Sequence, residues 1–443
     1  MQKKTVIAWA LVVAMGGFLF GFDTAVISGA ERAIQRYWDL NVFEHGLTVS
    51  IALIGTVIGS LLGSIPSDKY GRKNTLYMVA ALYLLSSVGS ALATDWYVFL
   101  IFRLMGGFGV GMSSVTAPVY ISEISPANSR GRLVALFQLN VVLGILVSYL
   151  SNYLIGQTGE DAWRWMLGVQ AFPSALFLGL ITLVPESPRW LILHKGKDAA
   201  ALEVLKRINP ANYKQELQAI KESHIPLEKD EKEPTLFSSK YRTPIMLAVL
   251  FAVFNQVSGI NAIIYYSPRI FEMAGLGTQS SLLSTVGIGI VNFTFTLLAI
   301  GFIDKIGRKT LMLIGSVGLI VSLGLVSRTF FANDFSGYAI TVYLMAYIAF
   351  FAFSQGAVIW VFISEIFPNE VRAKGQTLGS STHWIMAAAI AFSFPYLSEI
   401  AGGGNTFLFF SVMMIIQLVF VWRVMPETKG KSLEKIEASM VLH

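Results

Sequence analysis

Long apolar stretches are the feature that most constrains the fold of this chain. A bilayer requires about 20 predominantly apolar residues in each helix that spans it. Twelve such stretches follow one another, at residues 6–30, 48–65, 75–93, 96–121, 133–155, 166–184, 245–266, 282–303, 310–327, 338–363, 376–397 and 406–425. Only 14% of the residues are charged, against roughly 25% in soluble domains. The sequence therefore predicts an all-α membrane protein with twelve transmembrane helices.

The basic residues are distributed unevenly between the loops. Most of the 33 Lys and Arg residues fall on the side of the membrane that would hold both termini, and the positive-inside rule makes that side cytoplasmic. This placement accounts for the net charge of +6, so no nucleic-acid partner is expected. The chain has no cysteine, which excludes disulfides and thiolate metal sites. No cofactor or metal is expected.

Three motifs occur twice, once in each half of the chain. The first is Asp-Lys-Tyr-Gly-Arg-Lys at 68–73, which returns as Asp-Lys-Ile-Gly-Arg-Lys at 304–309. The second is Ile-Ser-Glu, at 121–123 and 363–365, and the third is Pro-Glu-Ser/Thr, at 185–187 and 426–428. Internal repeats are typical of secondary transporters, whose halves rock around a site near mid-membrane. We predict four regions: six-helix bundles at 1–185 and 244–427, a cytoplasmic linker at 186–243 and a cytoplasmic tail at 428–443. Helical periodicity predicts short linker helices at 198–208 and 212–223.

The repeated motifs carry charges that can pair at the cytoplasmic helix ends. The glycine of each Asp-Lys-x-Gly-Arg-Lys motif permits a tight turn, and its Arg and Lys can pair with Glu123 or Glu365. Such pairs would break when the halves rock; the alternative is charge that only sets topology. The residues predicted for this cytoplasmic gate are Asp68, Arg72, Glu123, Arg130, Glu186, Arg189, Asp304, Arg308, Glu365 and Arg372.

Two opposite charges lie inside the predicted spans. Of the 27 acidic residues, only Asp23 falls well inside an apolar stretch, and Arg103 is the only basic residue placed in the same way. Both lie roughly 10 Å from the outer edge at 1.5 Å per residue, so they can pair. A carboxylate next to Arg stays ionised, whereas one left alone in an apolar site binds a proton. Asp23 is therefore the predicted proton-coupling site with Arg103 as its partner; the alternative is a static ion pair between two helices.

Amides and aromatic rings in the second half are suited to a neutral polyol. The seventh stretch contains Asn255, Gln256 and Asn261, and Gln256 and Asn261 can face one cavity only if the helix bends, for which Ser258 and Gly259 are the plausible place. Amides in membranes also join helices. Further candidate contacts in other spans and nearby are Gln138, Tyr265, Asn292, Gly356, Trp360, His383 and Trp384.

These motifs resemble the sugar porter family of the major facilitator superfamily over essentially the whole chain. The motifs that carry the resemblance are the two Asp-Lys-x-Gly-Arg-Lys repeats, Arg103 with Gly106-Gly107, and the segments 185–190, 256–262 and 426–430. The resemblance implies a major facilitator fold and sugar contacts from the candidate residues above, to which it adds Phe20. Residues 20–29 look most like bacterial proton-coupled members such as the xylose/proton symporters.

Some positions depart from the family pattern. Asn255 replaces the first glutamine of a Gln-Gln pair, and His383 replaces an amide before Trp384, so the pocket and its sugar are expected to differ. Gln170 stands where the xylose symporters carry an acidic residue tied to coupling, which weighs against symport. Ser64 replaces the leading glycine of the first loop motif.

The predicted function is import of a hexose or pentose by proton symport through alternating access. The protein is expected to be a monomer in the inner (cytoplasmic) membrane, in contact with lipid. The alternatives are a facilitative sugar uniporter and a sugar sensor with a transporter fold. An enzyme is not expected, because an intramembrane aspartyl protease needs two aspartates and only Asp23 qualifies.

Overall fold

The computed structural model describes residues 2–126, 129–222, 235–335, 338–368 and 370–429, and within them the side chains of Gln2, Lys3 and Asp304 are not described. These residues form α-helices and two short 3₁₀ turns, with no strand in the described ranges. The helices are α1 (Gln2–Tyr37), α2 (Val42–Leu62), α3 (Ser64–Tyr70), α4 (Arg72–Leu92), α5 (Trp96–Glu123), α6 (Arg130–Ile155), α7 (Ala162–Gly168), α8 (Ala171–Leu180), α9 (Pro188–Lys195), α10 (Asp198–Ile208), α11 (Tyr213–Glu222), α12 (Arg242–Val257), α13 (Ile260–Met273), α14 (Thr278–Ile306), α15 (Arg308–Ala332), α16 (Ala339–Phe353), α17 (Gln355–Ile366), α18 (Arg372–Ile400) and α19 (Gly402–Arg423).

Eleven segments of the described chain are long and apolar enough to cross a membrane. Three of these segments contain more than one helix: Ala162–Leu183, Ser239–Met273 and Ala339–Ile366. The predicted stretch at 376–397 lies within α18, which has ample length at 29 residues but is absent from the eleven. Its first turns carry Gln376, Thr377 and His383, and these polar residues lower its hydropathy. The predicted all-α architecture is confirmed.

The first helix is longer than its apolar stretch predicts. The stretch ends at Ala30, whereas α1 continues to Tyr37 and keeps Glu31 only 1% exposed. The prediction that Asp23 is the only acidic residue well inside a span is therefore wrong. The continuation of α1 is the reason, because it gives Glu31 a place within the packed helices.

The linker contains three short helices. The predicted helices at 198–208 and 212–223 are confirmed as α10 and α11, and α9 precedes them. Ser187 caps α9 by accepting a hydrogen bond from the Trp190 N–H, with proline at its first turn, a combination that favours helix initiation. The helices pack through an apolar cluster of Ile192, Ala201, Leu205 and Ile220. The predicted tail lies outside the described residues from position 430 onward.

The chain divides into two compact units. The first, unit 1, comprises residues 1–24, 54–148 and 167–233, and the second, unit 2, comprises residues 25–53, 149–166 and 234–443. The division passes through the helices α1, α2, α6 and α7, and the domain boundaries that the sequence repeat predicts stay a prediction. Close helix packing in unit 1 depends on small residues: a Cβ on Gly21 would lie 1.8 Å from the Val141 carbonyl oxygen, and one on Gly144 would lie 2.0 Å from the Phe18 carbonyl oxygen.

Candidate functional site

The two charges inside the spans of unit 1 form an ion pair. Arg103 on α5 donates from Nη1 to Oδ1 of Asp23 on α1 at 2.9 Å, and from Nη2 to the Asp23 carbonyl oxygen at 3.3 Å. Asp23 is 2% exposed and Arg103 1%. The pairing that the matched depths predict is therefore present, and both charges are almost completely removed from solvent.

The helices around this pair approach one another closely. A Cβ on Gly106 would lie 2.3 Å from the Ser86 hydroxyl oxygen, so glycine allows α5 to approach α4 closely, whereas its distance of 3.4 Å from Asp23 Oδ1 would be an ordinary contact. The Nε atom of Arg103 is buried without a hydrogen-bond partner in the described parts of the chain. A buried ion pair with an unsatisfied donor is costly, and the coupling role of this pair stays a prediction.

The seventh apolar segment bends at the predicted place. Helix α12 ends at Val257, Gly259 adopts φ +86°, and α13 begins at Ile260. The bend brings two amides together, since Asn261 Nδ2 donates to Gln256 Oε1 at 2.6 Å. A straight helix would direct these side chains to different faces. The prediction that Gln256 and Asn261 meet across a bend is confirmed.

The amides continue into a cluster with an imidazole and two indoles. Gln256 Nε2 lies 3.0 Å from Asn255 Oδ1 and 3.2 Å from His383 Nε2. The His383 ring lies 4.8 Å from the Trp360 ring and 4.9 Å from the Trp384 ring, between centroids. This group is here called the amide cluster and consists of Asn255, Gln256, Asn261, Trp360, His383 and Trp384.

The amide cluster contains a hydrogen-bond donor that is not satisfied within it. The Nδ2 atom of Asn255 is buried and has no hydrogen-bond partner within the described chain, although the residue is only 2% exposed. An amide donor in this position can bind a ligand hydroxyl, and the indole rings offer flat apolar faces. The arrangement fits a neutral polyhydroxylated molecule better than a charged one, because none of the six side chains is an acid or a strong base.

The other predicted sugar contacts lie at several places. In unit 2, Tyr265 is buried on α13, Asn292 is buried on α14, and Gly356 lies on α17 one turn before Trp360. In unit 1, Phe20 packs against the Phe137 ring at 6.5 Å between centroids, and Gln138 is the next residue along α6. The structure thus joins six of the predicted residues into one cluster. The sugar-binding role of every one of them stays a prediction.

The charged motif of unit 1 forms a connected network. Arg72 bonds both carboxylate oxygens of Glu123, at 3.0 and 3.2 Å, and Asp68 at 2.9 Å. Glu186 accepts hydrogen bonds from the backbone N–H groups of Arg72 and Lys73 at the start of α4. Burial raises the pKa of the Glu186 carboxyl, and the backbone N–H donors that bond it oppose this rise. The Glu186 carboxylate therefore caps a helix N-terminus, where negative charge is favoured.

The charged motif of unit 2 repeats this geometry. Arg308 Nη2 donates to Glu365 at 2.8 Å, and Glu427 accepts from the backbone N–H groups of Arg308 and Lys309 at 3.0 Å each. The preceding glycines adopt nearly the same backbone conformation, with φ +99° at Gly71 and +101° at Gly307. The side chain of Asp304 lies outside the described residues. The predicted Arg–Glu pairs are thus present within each unit, and their gating role stays a prediction.

The remaining predicted gate residues make weaker contacts. Arg130 donates to the Ser122 carbonyl oxygen at 3.0 Å and Arg372 to the Phe367 carbonyl oxygen at 3.2 Å, while Arg189 is exposed. Glu427 was not among the predicted gate residues. Its signal was the repeated Pro-Glu motif, which was used only to detect the repeat.

The half-buried pair between Arg308 and Glu365 gives a stability prediction. Glu365→Gln removes the carboxylate charge that the Arg308 guanidinium contacts, so we expect the free energy of unfolding in detergent to fall by about 1–2 kcal/mol. Thermal unfolding of the purified protein measures the change. Glu399→Gln, at an exposed position on α18, is the matched control and is expected to have no effect. Equal melting temperatures for the two variants would contradict the prediction.

Comparisons with known proteins agree with this architecture. The family described as Sugar (and other) transporter matches residues 9–440. The arabinose-proton symporter of Bacillus subtilis is 38% identical over 439 residues, covering 98% of this chain and 94% of the symporter. The D-xylose-proton symporter of Escherichia coli strain K12 is 35% identical over 466 residues, covering 97% and 94%.

A solved structure shows the same likeness. The inward open conformation of the xylose transporter XylE from E. coli is 33% identical, with a TM-score of 0.87, and the match covers 98% of this chain and 100% of that one. This likeness confirms the predicted major facilitator fold. The protein is a multi-pass helical membrane protein, and the chain belongs to the sugar (and other) transporter family.

Proposed function

We propose that this protein imports a monosaccharide, a hexose or pentose, by proton symport through alternating access. Relatives named for arabinose-proton and D-xylose-proton symport support this assignment. We further propose that both termini are cytoplasmic, that the protein lies in the cytoplasmic membrane in contact with lipid, and that it acts as a monomer. No catalytic role is assigned to any residue.

The observation that carries the proposal is the buried pair of Asp23 and Arg103. While the pair is closed, the guanidinium compensates the carboxylate. When the transport cycle separates the two groups, the carboxylate is left unpaired among apolar helices, where a charge is costly. It then takes up a proton, and closing the pair expels it. One proton is thereby exchanged in each cycle.

The amide cluster supplies the sugar side of the mechanism. Gln256 links Asn255, Asn261 and His383 through hydrogen bonds. A sugar hydroxyl that bonds one of these groups therefore changes the hydrogen bonding of the others. The indoles of Trp360 and Trp384 flank the imidazole and provide faces for the apolar side of a pyranose ring. Networks of this kind select for hydroxyl geometry, because a missing hydroxyl leaves a buried polar group unpaired.

A uniporter with the same pocket is the second candidate. Gln170 supports it, since this residue is buried and neutral at the position where the resemblance places an acidic residue in the xylose symporters. A uniporter would need no titrating group, and the Asp23 pair would then only join α1 to α5.

Driven uptake in proteoliposomes separates the two candidates. The purified protein is reconstituted with the membrane potential clamped at zero, and radiolabelled D-xylose, L-arabinose and D-glucose are each supplied outside. A symporter accumulates its sugar above equilibrium when the interior is alkaline, and a protonophore abolishes the excess. A uniporter only equilibrates the sugar. Binding of a sugar without any flux would overturn both candidates and favour a sensor.

A further inference from the structure

Unit 2 contains a buried ionisable cluster that the proposed transport mechanism does not use. Glu31 on α1 is 1% exposed and His45 on α2 is fully buried. His45 Nε2 lies 2.5 Å from Glu31 Oε2, and Arg269 Nη1 on α13 lies 3.6 Å from the same carboxylate oxygen. Arg269 Nη1 also lies 3.2 Å from His45 Nδ1. These three residues are here called the Glu–His–Arg cluster.

The arginine determines where the protons lie. A guanidinium can only donate hydrogen bonds, so His45 Nδ1 must accept one from Arg269. The imidazole then carries its hydrogen on Nε2, which lies 2.5 Å from the Glu31 carboxylate oxygen, although neither atom has a hydrogen-bond partner within the described residues. This arrangement leaves one negative charge on Glu31, one positive charge on Arg269 and a neutral imidazole between them. The cluster is electrically balanced and joins three helices.

The surroundings contain few other groups able to respond to pH. Gln35 Oε1 accepts from Arg269 at 3.4 Å, and the Tyr266 ring lies edge-on to His45 while its hydroxyl donates to the Ala391 carbonyl oxygen. A second ion pair, between Arg32 and Glu272, also joins α1 to α13. Neither tyrosine nor arginine titrates near neutral pH, so Glu31, His45 and Glu272 are the groups that can gain a proton.

We infer that the Glu–His–Arg cluster is a second proton-binding site, and that proton uptake there releases α13 from α1 and α2. An added proton on His45 Nδ1 turns the acceptor of the Arg269 hydrogen bond into a donor. Two cationic groups would then face each other 3.2 Å apart, with the imidazole fully buried and the Arg269 side chain 14% exposed, which is unfavourable. Histidine is the side chain most suited to such a response in the physiological range.

The release would act on a helix that carries sugar contacts. Helix α13 carries Asn261 of the amide cluster in its first turn and has non-helical backbone at Tyr266, with φ −122°, and a proline at 268. This kink lies between Asn261 and Arg269. In the orientation proposed above, the Glu–His–Arg cluster faces the outer side of the membrane, from which protons enter. The inference thus rests on the proposed function and adds an outward-facing, pH-dependent latch to it.

Spin-label distances test the latch without requiring transport. Because the chain has no cysteine, Arg36→Cys at the end of α1 and Met273→Cys at the end of α13 provide specific labelling sites. Double electron–electron resonance is recorded on the full-length protein at about pH 8 and about pH 5, on either side of the usual histidine range. We expect one short distance at the higher pH and a distance longer by several ångströms, as the major population, at the lower pH.

Two further variants assign the response to the cluster. In His45→Gln the amide can accept from Arg269, as the imidazole does, but it does not titrate, so the short distance should persist at both pH values. In Glu31→Gln the carboxylate is lost, so the long distance should already be present at pH 8. A pH-independent distance in the labelled parent, or an unchanged pH response in His45→Gln, would overturn the inference. Loss of sugar flux with an intact distance response would instead count against the proposed function alone.

Discussion

Asp23→Asn is expected to abolish proton-driven accumulation of sugar while sugar exchange across the membrane continues. The asparagine amide can still accept a hydrogen bond from Arg103, but it cannot carry a proton through the cycle. A gradient of about one pH unit supports up to about tenfold accumulation when one proton moves with each sugar. We expect this factor to fall to one in the variant, measured as radiolabelled sugar inside proteoliposomes at steady state.

The controls for this experiment follow from the geometry of the pair. Removing the Asp23 charge leaves a buried guanidinium uncompensated, which typically costs about 3–5 kcal/mol, so the single variant could fail to fold. The double variant Asp23→Asn with Arg103→Gln removes both charges, so it tests the loss of accumulation without leaving an uncompensated buried charge. Asp39→Asn, the same substitution at an exposed position, should leave accumulation intact. Accumulation retained in a folded Asp23→Asn protein would show that the pair is a static link between α1 and α5.

Gln256→Ala is expected to weaken sugar binding by about 100-fold, equivalent to about 2.7 kcal/mol. Gln256 is the centre of the amide cluster, and its loss removes the partner of Asn261 and leaves His383 and Asn255 with unpaired buried groups. Each such group typically costs about 1–3 kcal/mol. Isothermal titration of the purified protein with the transported sugar measures the dissociation constant.

A second buried glutamine in unit 2 supplies the matched control. Gln417 on α19 bonds Gln355 at 3.0 Å and the Ser316 hydroxyl at 3.0 Å, and it is as deeply buried as Gln256. Gln417→Ala should therefore lower the melting temperature by a similar amount and leave sugar affinity unchanged. Equal affinities in Gln256→Ala and Gln417→Ala would show that the amide cluster stabilises the helices and does not bind the sugar.

The sequence predicted those features that depend on position along a single helix. The depths of Asp23 and Arg103 within their spans were sufficient to pair them, because rise per residue converts sequence spacing into depth. The bend between Gln256 and Asn261 followed from a Ser-Gly step and from helical periodicity. The resemblance to a family of known fold supplied the arrangement of the helices, which spacing alone does not specify.

The features that were missed depend on contacts between elements distant in sequence. Glu31 lies one residue beyond the predicted apolar stretch, which ends at Ala30, and the residues that contact it, His45 and Arg269, come from other helices. The carboxylate of Glu427 bonds backbone N–H groups. Such groups are present at every helix start whatever the residue type, so the sequence does not indicate this contact.

The most direct test of proton-coupled sugar transport follows proton and sugar movement in one sample without an imposed gradient. Sugar is added outside proteoliposomes in weakly buffered medium, with the membrane potential clamped at zero, while external pH and radiolabel uptake are recorded together. Symport through the Asp23–Arg103 pair predicts that the medium becomes alkaline as sugar enters, with about one proton for each sugar, and that the signal vanishes in Asp23→Asn. Sugar entry with no change in external pH would contradict the account.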